Sequence, residues 1–127
     1  MKLKFRAWHR ELGRMMLIKN MWFQDDKVEE LELNDTVMND FITAYPDEIV
    51  FMQSTGLKDK NGKEIFEGDI VKMAKDVYSE PTYYEVVRHR GGAYRLESKQ
   101  HGCELWLRHT DCEVVGNVYE GKELLDA

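Results

Sequence analysis

The middle of the chain reads Gly56-Leu57-Lys58-Asp59-Lys60-Asn61-Gly62-Lys63-Glu64-Ile65-Phe66-Glu67-Gly68-Asp69-Ile70-Val71. The pair Asn61-Gly62 indicates a tight turn, because both residues tolerate a positive φ. The pair Gly68-Asp69 indicates a second turn, which leads into the β-branched residues of a strand. We expect the side chains of Asp59 and Asp69 to accept hydrogen bonds from backbone amides in these turns. The segment therefore predicts short strands joined by tight turns.

Short strands are also predicted on both sides of this segment. Upstream, apolar and basic residues alternate over residues 2–8, and a turn at residues 11–14 leads into a second apolar run, which is typical of a hairpin. The acidic run at residues 25–32 fits a strand or a short helix and is interpreted as a solvated edge. Further strands are predicted at residues 49–53, at 83–90 and 93–98 around Gly91-Gly92, and at 103–108 and 112–119.

One helix is predicted in this β-rich chain, around residues 35–45. Apolar residues recur there at helical spacing, at Val37 and Phe41 and again at Met38 and Ile42. Pro46 ends the pattern, because proline disfavours a helical conformation in the residue before it. We therefore expect a mainly β fold with one short helix, built as a small, partly open barrel or as packed antiparallel sheets.

Size and composition exclude several classes of protein. The 127 residues suit one domain spanning residues 1–127, and 43% hydrophobic with 33% charged residues is typical of a soluble globular chain rather than a disordered one. No apolar run approaches the ~20 residues of a membrane helix, and the N-terminus lacks the apolar core of a signal peptide. We expect a cytoplasmic protein without a membrane partner. The net charge of −6 disfavours nucleic acid as a partner of the whole surface.

Two histidines and two cysteines have metal-like spacing: His101, Cys103, His109 and Cys112. Zinc takes four such ligands, so the number fits. The apolar residues that alternate between the pairs favour ordinary strands instead, with each thiol acting as a small hydrophobic side chain. Since no nucleophile elbow and no phosphate-binding glycine loop is present either, we expect no metal, no cofactor and no enzymatic activity.

Basic residues gather at one hairpin. Arg88, Arg90 and Arg95 flank Gly91-Gly92, and Trp106 and Arg108 lie nearby in the sequence. Small β-barrels bind single-stranded nucleic acid by stacking bases on aromatic side chains in a basic groove. The simpler interpretation is that these arginines solvate an exposed hairpin, and the acidic total favours it.

Three segments of the chain together resemble the YopX family of small bacteriophage and prophage proteins. They are Lys4-Phe5-Arg6-Ala7-Trp8, residues 52–71, and Val115-Gly116-Asn117-Val118-Tyr119-Glu120 with Leu124-Leu125. The resemblance implies a single YopX-like domain with a mostly β fold, encoded by a phage or prophage and expressed in the bacterial cytoplasm. It implies no catalytic residues.

Our functional expectation combines this resemblance with the lack of a catalytic constellation. We expect a non-enzymatic protein-interaction module whose partner is a host or phage protein or a second copy, because open sheet edges readily pair. The alternative is a nucleic-acid-associated regulator that uses the hairpin at residues 88–95.

Overall fold

A computed structural model describes residues 4–35, 38–74, 76, 78–89 and 91–126. The strands are β1 (Phe5–His9), β2 (Arg14–Gln24), β3 (Lys27–Asp35), β4 (Asp40–Ala44), β5 (Ile49–Lys58), β6 (Glu64–Phe66), β7 (Asp69–Met73), β8 (Thr82–Arg88), β9 (Tyr94–Glu97), β10 (Gly102–Glu104) and β11 (Glu113–Asn117). One short helix, α1 (Leu105–Arg108), and 3₁₀ helices at Pro46–Glu48, His109–Asp111 and Lys122–Asp126 complete the described elements. The mainly β prediction is confirmed, with antiparallel sheets rather than a closed barrel.

The chain divides into two compact units, Met1–Gln53 and Ser54–Ala127. Strand β5 crosses the boundary: its first residues pair with β1, and its last residues pair with β6. The single domain over residues 1–127 stays a prediction. Within the described part of the chain, no helix has the length and apolar character needed to cross a bilayer.

The first unit is an antiparallel sheet in the order β4-β3-β2-β1-β5. The predicted N-terminal hairpin is confirmed by the pairing of β1 with β2, and the acidic run 25–32 forms the turn after β2 and most of β3. Asp25 and Asp26 have φ values of 51° and 65°, which is the left-handed conformation that a two-residue hairpin turn requires. The core of this unit consists of Ala7, Met16, Leu31, Leu33, Ala44 and Ile49.

The predicted helix at residues 35–45 is wrong wherever the structure describes this segment. Residues 40–44 form strand β4, in which Ile42 pairs with Leu33 and Ala44 with Leu31. Ala44 enters the core and Ile42 packs against it, whereas the intervening residues face outward, so the burial has a period of two. Thr36 and Val37 of the predicted helix lie outside the described residues. The apolar spacing fits both periods, and pairing with β3 selects the strand.

The second unit contains an antiparallel sheet in the order β10-β9-β8-β7-β11. Its core consists of Ile65, Val71, Met73, Tyr84, Val86, Leu96, Leu105 and Cys112. The hairpin around Gly91-Gly92 is confirmed as β8 and β9, but its connection is longer than two residues. The amide of His89 donates to the carbonyl of Ala93 at 2.7 Å, which closes the loop at its base.

The predicted strand at residues 103–108 is confirmed only as far as Glu104. Beyond it the chain forms the single helical turn α1, in which Leu105 is fully buried while Trp106 and Leu107 are exposed. A buried residue followed by two exposed residues does not follow the alternation of a strand. The packing of Leu105 in the core holds the helical turn in place.

Candidate functional site

Asp59 joins the turn between β5 and β6 to the start of β11. Its Oδ1 atom accepts hydrogen bonds from the amides of Asn61 and Lys63 at 2.9 Å, and its Oδ2 atom accepts one from Val114 at 2.9 Å. Burial by itself would raise the pKa of this carboxyl, but these amides hold the pKa below its ordinary value. The predicted turn role is confirmed. The bond to Val114 was missed, because nothing local in the sequence marks a partner 55 residues away.

The second predicted turn is also confirmed. The Oδ2 atom of Asp69 accepts a hydrogen bond from the amide of Phe66 at 2.7 Å. Gly68 has a φ of 87°, donates to the carbonyl of Val86 and accepts from the amide of Val118, both at 2.9 Å. The distinctive residues of the middle segment therefore hold strands together.

The four residues with metal-like spacing lie in different environments. His101 is exposed in a turn, and Cys103 is half-buried in β10. The Nδ1 atom of His109 lies 2.7 Å from the carbonyl oxygen of Lys58, and Cys112 is fully buried in the core. Within the described ranges, no three His, Cys, Asp or Glu side chains are grouped so that they could hold a metal ion.

Both thiols are in environments that favour the protonated form. Burial raises the pKa of Cys112 to about 12, and burial also raises the pKa of Cys103. The thiolate is the form that binds metals and attacks electrophiles, so neither cysteine is activated near neutral pH.

This environment predicts how the native protein reacts with iodoacetamide at mildly alkaline pH. We expect Cys112 to stay unmodified and Cys103 to react more slowly than a free thiol, because both carry raised pKa values. Mass spectrometry of the peptides measures each site, and the same treatment in denaturant, where both sites should react fully, is the control. Rapid modification of native Cys112 would contradict the buried, protonated thiol.

Intramolecular carboxylates compensate two of the predicted nucleic-acid-binding arginines. The Nε atom of Arg95 lies 3.0 Å from Glu97, and its Nη1 atom lies 2.5 Å from Glu104. The hydrogen bond that Arg95 donates to Glu97 raises the pKa of Arg95, which keeps the guanidinium charged and paired. Arg108 forms a similar pair with Asp111 at 3.0 Å. These two charges are therefore partly neutralised within the protein.

The remaining candidate residues do not form one basic surface with Arg95. In the β8–β9 register, Arg88 lies opposite Tyr94 and Val87 lies opposite Arg95. Because neighbouring residues of a strand point to opposite faces, Arg88 and Arg95 lie on different sides of this sheet. Trp106 is 64% exposed on α1, and Arg90 lies outside the described residues.

The second unit also contains a cleft with a volume of about 480 Å³. It is lined by Lys60, Lys72, Met73, Ala74, Asp76, Pro81, Arg108, Asp111 and Glu113. Lys60 pairs with Glu113 at 3.8 Å, and the pair formed by Arg108 and Asp111 closes another side. Opposite charges therefore face one another in this cleft.

Exposed aromatic side chains and half-buried glutamates share the outer face of the first unit. Trp22 lies opposite Glu30, Glu32 lies opposite Thr43, and Phe41 lies on the same face. Trp22 is 49% exposed and Phe41 is 62% exposed. We call this group (Trp22, Glu30, Glu32, Phe41 and Thr43) the acidic–aromatic face. Because residues 35–45 were predicted to form a helix, the acidic–aromatic face was not predicted. The alternation of Phe41 and Thr43 with Ile42 is the signal in the sequence that could have indicated it.

Strand β4 is the edge of this sheet and forms one side of the acidic–aromatic face. Its described pairing is with β3, so alternate backbone amides and carbonyls of β4 point away from the sheet. An edge strand with large exposed side chains can bind an extended segment of another chain. Of the surfaces described above, this one combines unpaired backbone groups with exposed aromatic rings.

Comparison with protein families gives one match, to the family described as YopX protein, over residues 4–126. The chain belongs to the YopX family. The match extends over both units, so the resemblance seen in the sequence is confirmed. A comparison with the curated proteins found no match.

Two solved structures show the YopX fold along nearly the whole chain. Protein EF1440 from Enterococcus faecalis is 28% identical, with a TM-score of 0.67 over 98% of this chain and 99% of that one. Protein yopX from Bacillus subtilis is 20% identical, with a TM-score of 0.65 over 96% of this chain and 97% of that one. The descriptions of these two proteins name no ligand and no activity, so the comparisons give the family and the fold.

Proposed function

We propose that this YopX-family protein is a non-enzymatic accessory protein of a phage or prophage and acts by binding another protein in the bacterial cytoplasm. The observation that carries the proposal is the open edge of β4 with Phe41 62% exposed beside it. Exposed aromatic residues are enriched where proteins bind one another, and an open edge supplies backbone hydrogen bonds.

The residues of this edge support the proposal. Natural edge strands are guarded by lysine, proline, bulges or inward-pointing charges, which prevent unwanted pairing. Strand β4, Asp-Phe-Ile-Thr-Ala, contains no lysine or proline and has its one charged residue, Asp40, at its first position, and the β3–β4 register runs without a bulge. A partner strand added to β4 would gain backbone hydrogen bonds, and contact with Phe41 would add selectivity.

The nucleic-acid alternative has weaker support. Two of its arginines are paired with carboxylates, and Arg88 faces away from Arg95. The experiment below nevertheless scores both classes of partner, because a nucleic-acid adduct would favour that alternative directly.

Photo-cross-linking tests the proposal in bacterial cells that express the protein. A photoreactive phenylalanine analogue replaces Phe41, and the same analogue at Leu12, which is 44% exposed elsewhere in the first unit, is the matched control. We expect protein adducts from position 41 well above the level from position 12. Equal yields at the two positions, or adducts containing only nucleic acid, would overturn the proposal.

A lysine on strand β4 should prevent binding of the partner without unfolding the protein. We expect Thr43→Lys to lower the adduct yield from position 41 at least about tenfold, because lysine at the centre of an edge strand blocks pairing. Its effect on the free energy of unfolding should stay within about 0.5 kcal/mol, since Thr43 is exposed. Thr110→Lys, at an exposed position of the second unit, is the control that should change neither quantity. An unchanged yield with Thr43→Lys would show that binding does not use this edge.

A further inference from the structure

We infer that the segment that pairs with β4 is basic: an extended strand of a partner protein with Lys or Arg at alternate positions, which contacts the acidic–aromatic face. The inference rests on the proposed function and specifies its partner. Its first support is the distribution of charge. Residues 19–48 contain nine acidic residues and two lysines, whereas the whole chain has a net charge of −6. The excess negative charge therefore belongs to the part of the chain that surrounds this face.

In the described part of the chain, the carboxylates of the face are not paired with a basic side chain. Among the residues that the structure describes, neither Glu30 nor Glu32 has a Lys or Arg within ion-pair distance. Glu32 accepts a hydrogen bond from the Nδ2 atom of Asn20 at 2.8 Å, which orients its carboxylate on the face. By contrast, Asp35 at the end of β3 is paired with Arg14. The face thus offers oriented negative charge to a partner.

The geometry allows a basic strand on β4 to reach these carboxylates. A strand paired with β4 would lie about 4.8 Å beyond it, one strand spacing further from β3. Thr43 is short and lies directly opposite Glu32, so a long Lys or Arg side chain beside Thr43 can extend over it toward Glu32. A neighbouring cation of the same strand would lie near the ring of Phe41, where a cation–π contact adds to the attraction.

The same charges argue against a second copy as the occupant. Symmetric pairing of two β4 strands would bring two acidic–aromatic faces together, with Glu32 on both sides and Asp40 at both ends of the paired strands. Such a pair leaves the negative charge of both faces uncompensated, whereas a basic strand neutralises it. We therefore place a basic partner, rather than a second copy, on this edge.

Two peptides of equal length test the chemistry of the partner. In one, Val alternates with Lys; in the other, Val alternates with Glu, and both are capped and fluorescently labelled. We expect the full-length protein to bind the lysine peptide at least about tenfold more tightly than the glutamate peptide. The binding should weaken as salt is added, because exposed charges are screened. Methylation of alternate backbone nitrogens of the lysine peptide on the side facing β4 should abolish binding, since it removes the donors of the added strand.

Charge reversal on the protein provides the decisive control. The double variant Glu30→Lys and Glu32→Lys should invert the preference toward the glutamate peptide. The matched double variant Glu80→Lys and Glu123→Lys, at exposed positions of the second unit, should leave the preference unchanged. Both double variants alter net charge equally, so a general electrostatic effect would move them together.

The outcomes separate this inference from the proposed function. If position 41 cross-links to a protein but the two peptides bind equally or not at all, the basic partner is wrong and the proposed function stands. If position 41 cross-links to a second copy, the occupant is that copy and the inference is overturned. If the methylated peptide binds as well as the unmethylated one, strand addition is wrong. If position 41 gives no protein adduct, the proposed function itself fails.

Discussion

We expect replacement of Asp59 by Asn to lower the free energy of unfolding by about 3 kcal/mol, because it breaks a buried hydrogen-bonding centre that links the β5–β6 turn to β11. Asp59 is only 5% exposed and accepts three backbone amides through its two carboxylate oxygens. Asparagine has one carbonyl oxygen and places an NH₂ group where the other oxygen was. Either the turn amides of Asn61 and Lys63 or the amide of Val114 then faces a donor instead of an acceptor.

Equilibrium denaturation in urea measures this loss. The matched control is Asp76→Asn, since Asp76 is an exposed aspartate that also accepts a turn amide, from Tyr78 at 2.9 Å. We expect the control to change the free energy of unfolding by no more than about 0.5 kcal/mol. Equal losses in the two variants would show that Asp59 contributes only a local turn and that its bond to Val114 adds nothing.

The contribution of Asp59 to the free energy of unfolding should decrease at acidic pH. The pKa of Asp59 in the folded protein lies below its ordinary value of 3.8, so its contribution is complete above that value. It is lost as the pH falls through the folded-state pKa, where the carboxylate is protonated in both states. The stability difference between wild type and Asp59→Asn should therefore narrow in acid. A difference that stays constant down to low pH would contradict the ionised, hydrogen-bonded carboxylate.

The turn chemistry of the middle segment could be predicted because its causes are local. A turn is recognisable from a few adjacent residues when it contains a glycine with positive φ and an aspartate that accepts amides two to four residues away. Gly62 and Asp59 are such a pair. The contact of Asp59 with Val114 depends on how β11 reaches β7, which the residues around Asp59 do not encode. The sequence therefore predicted the turn, and the link between distant strands required the structure.

The segment at residues 35–45 shows the same limit for periodicity. Met38 and Ile42 fit a helix, while Ile42 and Ala44 fit a strand, and a segment this short contains too few residues to separate the two periods. The pairing with β3 selects the strand. The same pairing creates the acidic–aromatic face and leaves β4 as the open edge of the sheet. The arginines of the 88–95 hairpin cluster in the sequence, but the pleat places Arg88 and Arg95 on opposite faces of the sheet, which their spacing alone does not show.

Truncation of either core should produce a second large loss of stability. Leu31 belongs to the core of the first unit and Leu96 to that of the second, and both are fully buried. We expect Leu31→Ala and Leu96→Ala each to lower the free energy of unfolding by about 2–5 kcal/mol, because each removes buried methyl groups and leaves a cavity. Leu12→Ala is the control; Leu12 is 44% exposed, and its truncation should have little effect.

These two variants also test whether the chain is one domain. Strand β5 runs through both units, pairing with β1 in the first and with β6 in the second, so unfolding of either unit would remove half of a continuous strand. We therefore expect one common transition, which both variants shift to lower temperature in calorimetry.

The positions of the tryptophans make this test specific. Trp8 and Trp22 lie in the first unit and Trp106 in the second, so fluorescence of a Trp106→Phe background reports the first unit alone. If the chain is one cooperative domain, Leu96→Ala in that background shifts the fluorescence transition even though Leu96 lies in the other unit. If the fluorescence transition stays in place while calorimetry shows a second transition moving, the two units unfold independently. The single-domain prediction would then be wrong, because the continuity of β5 would not be enough to couple the two cores.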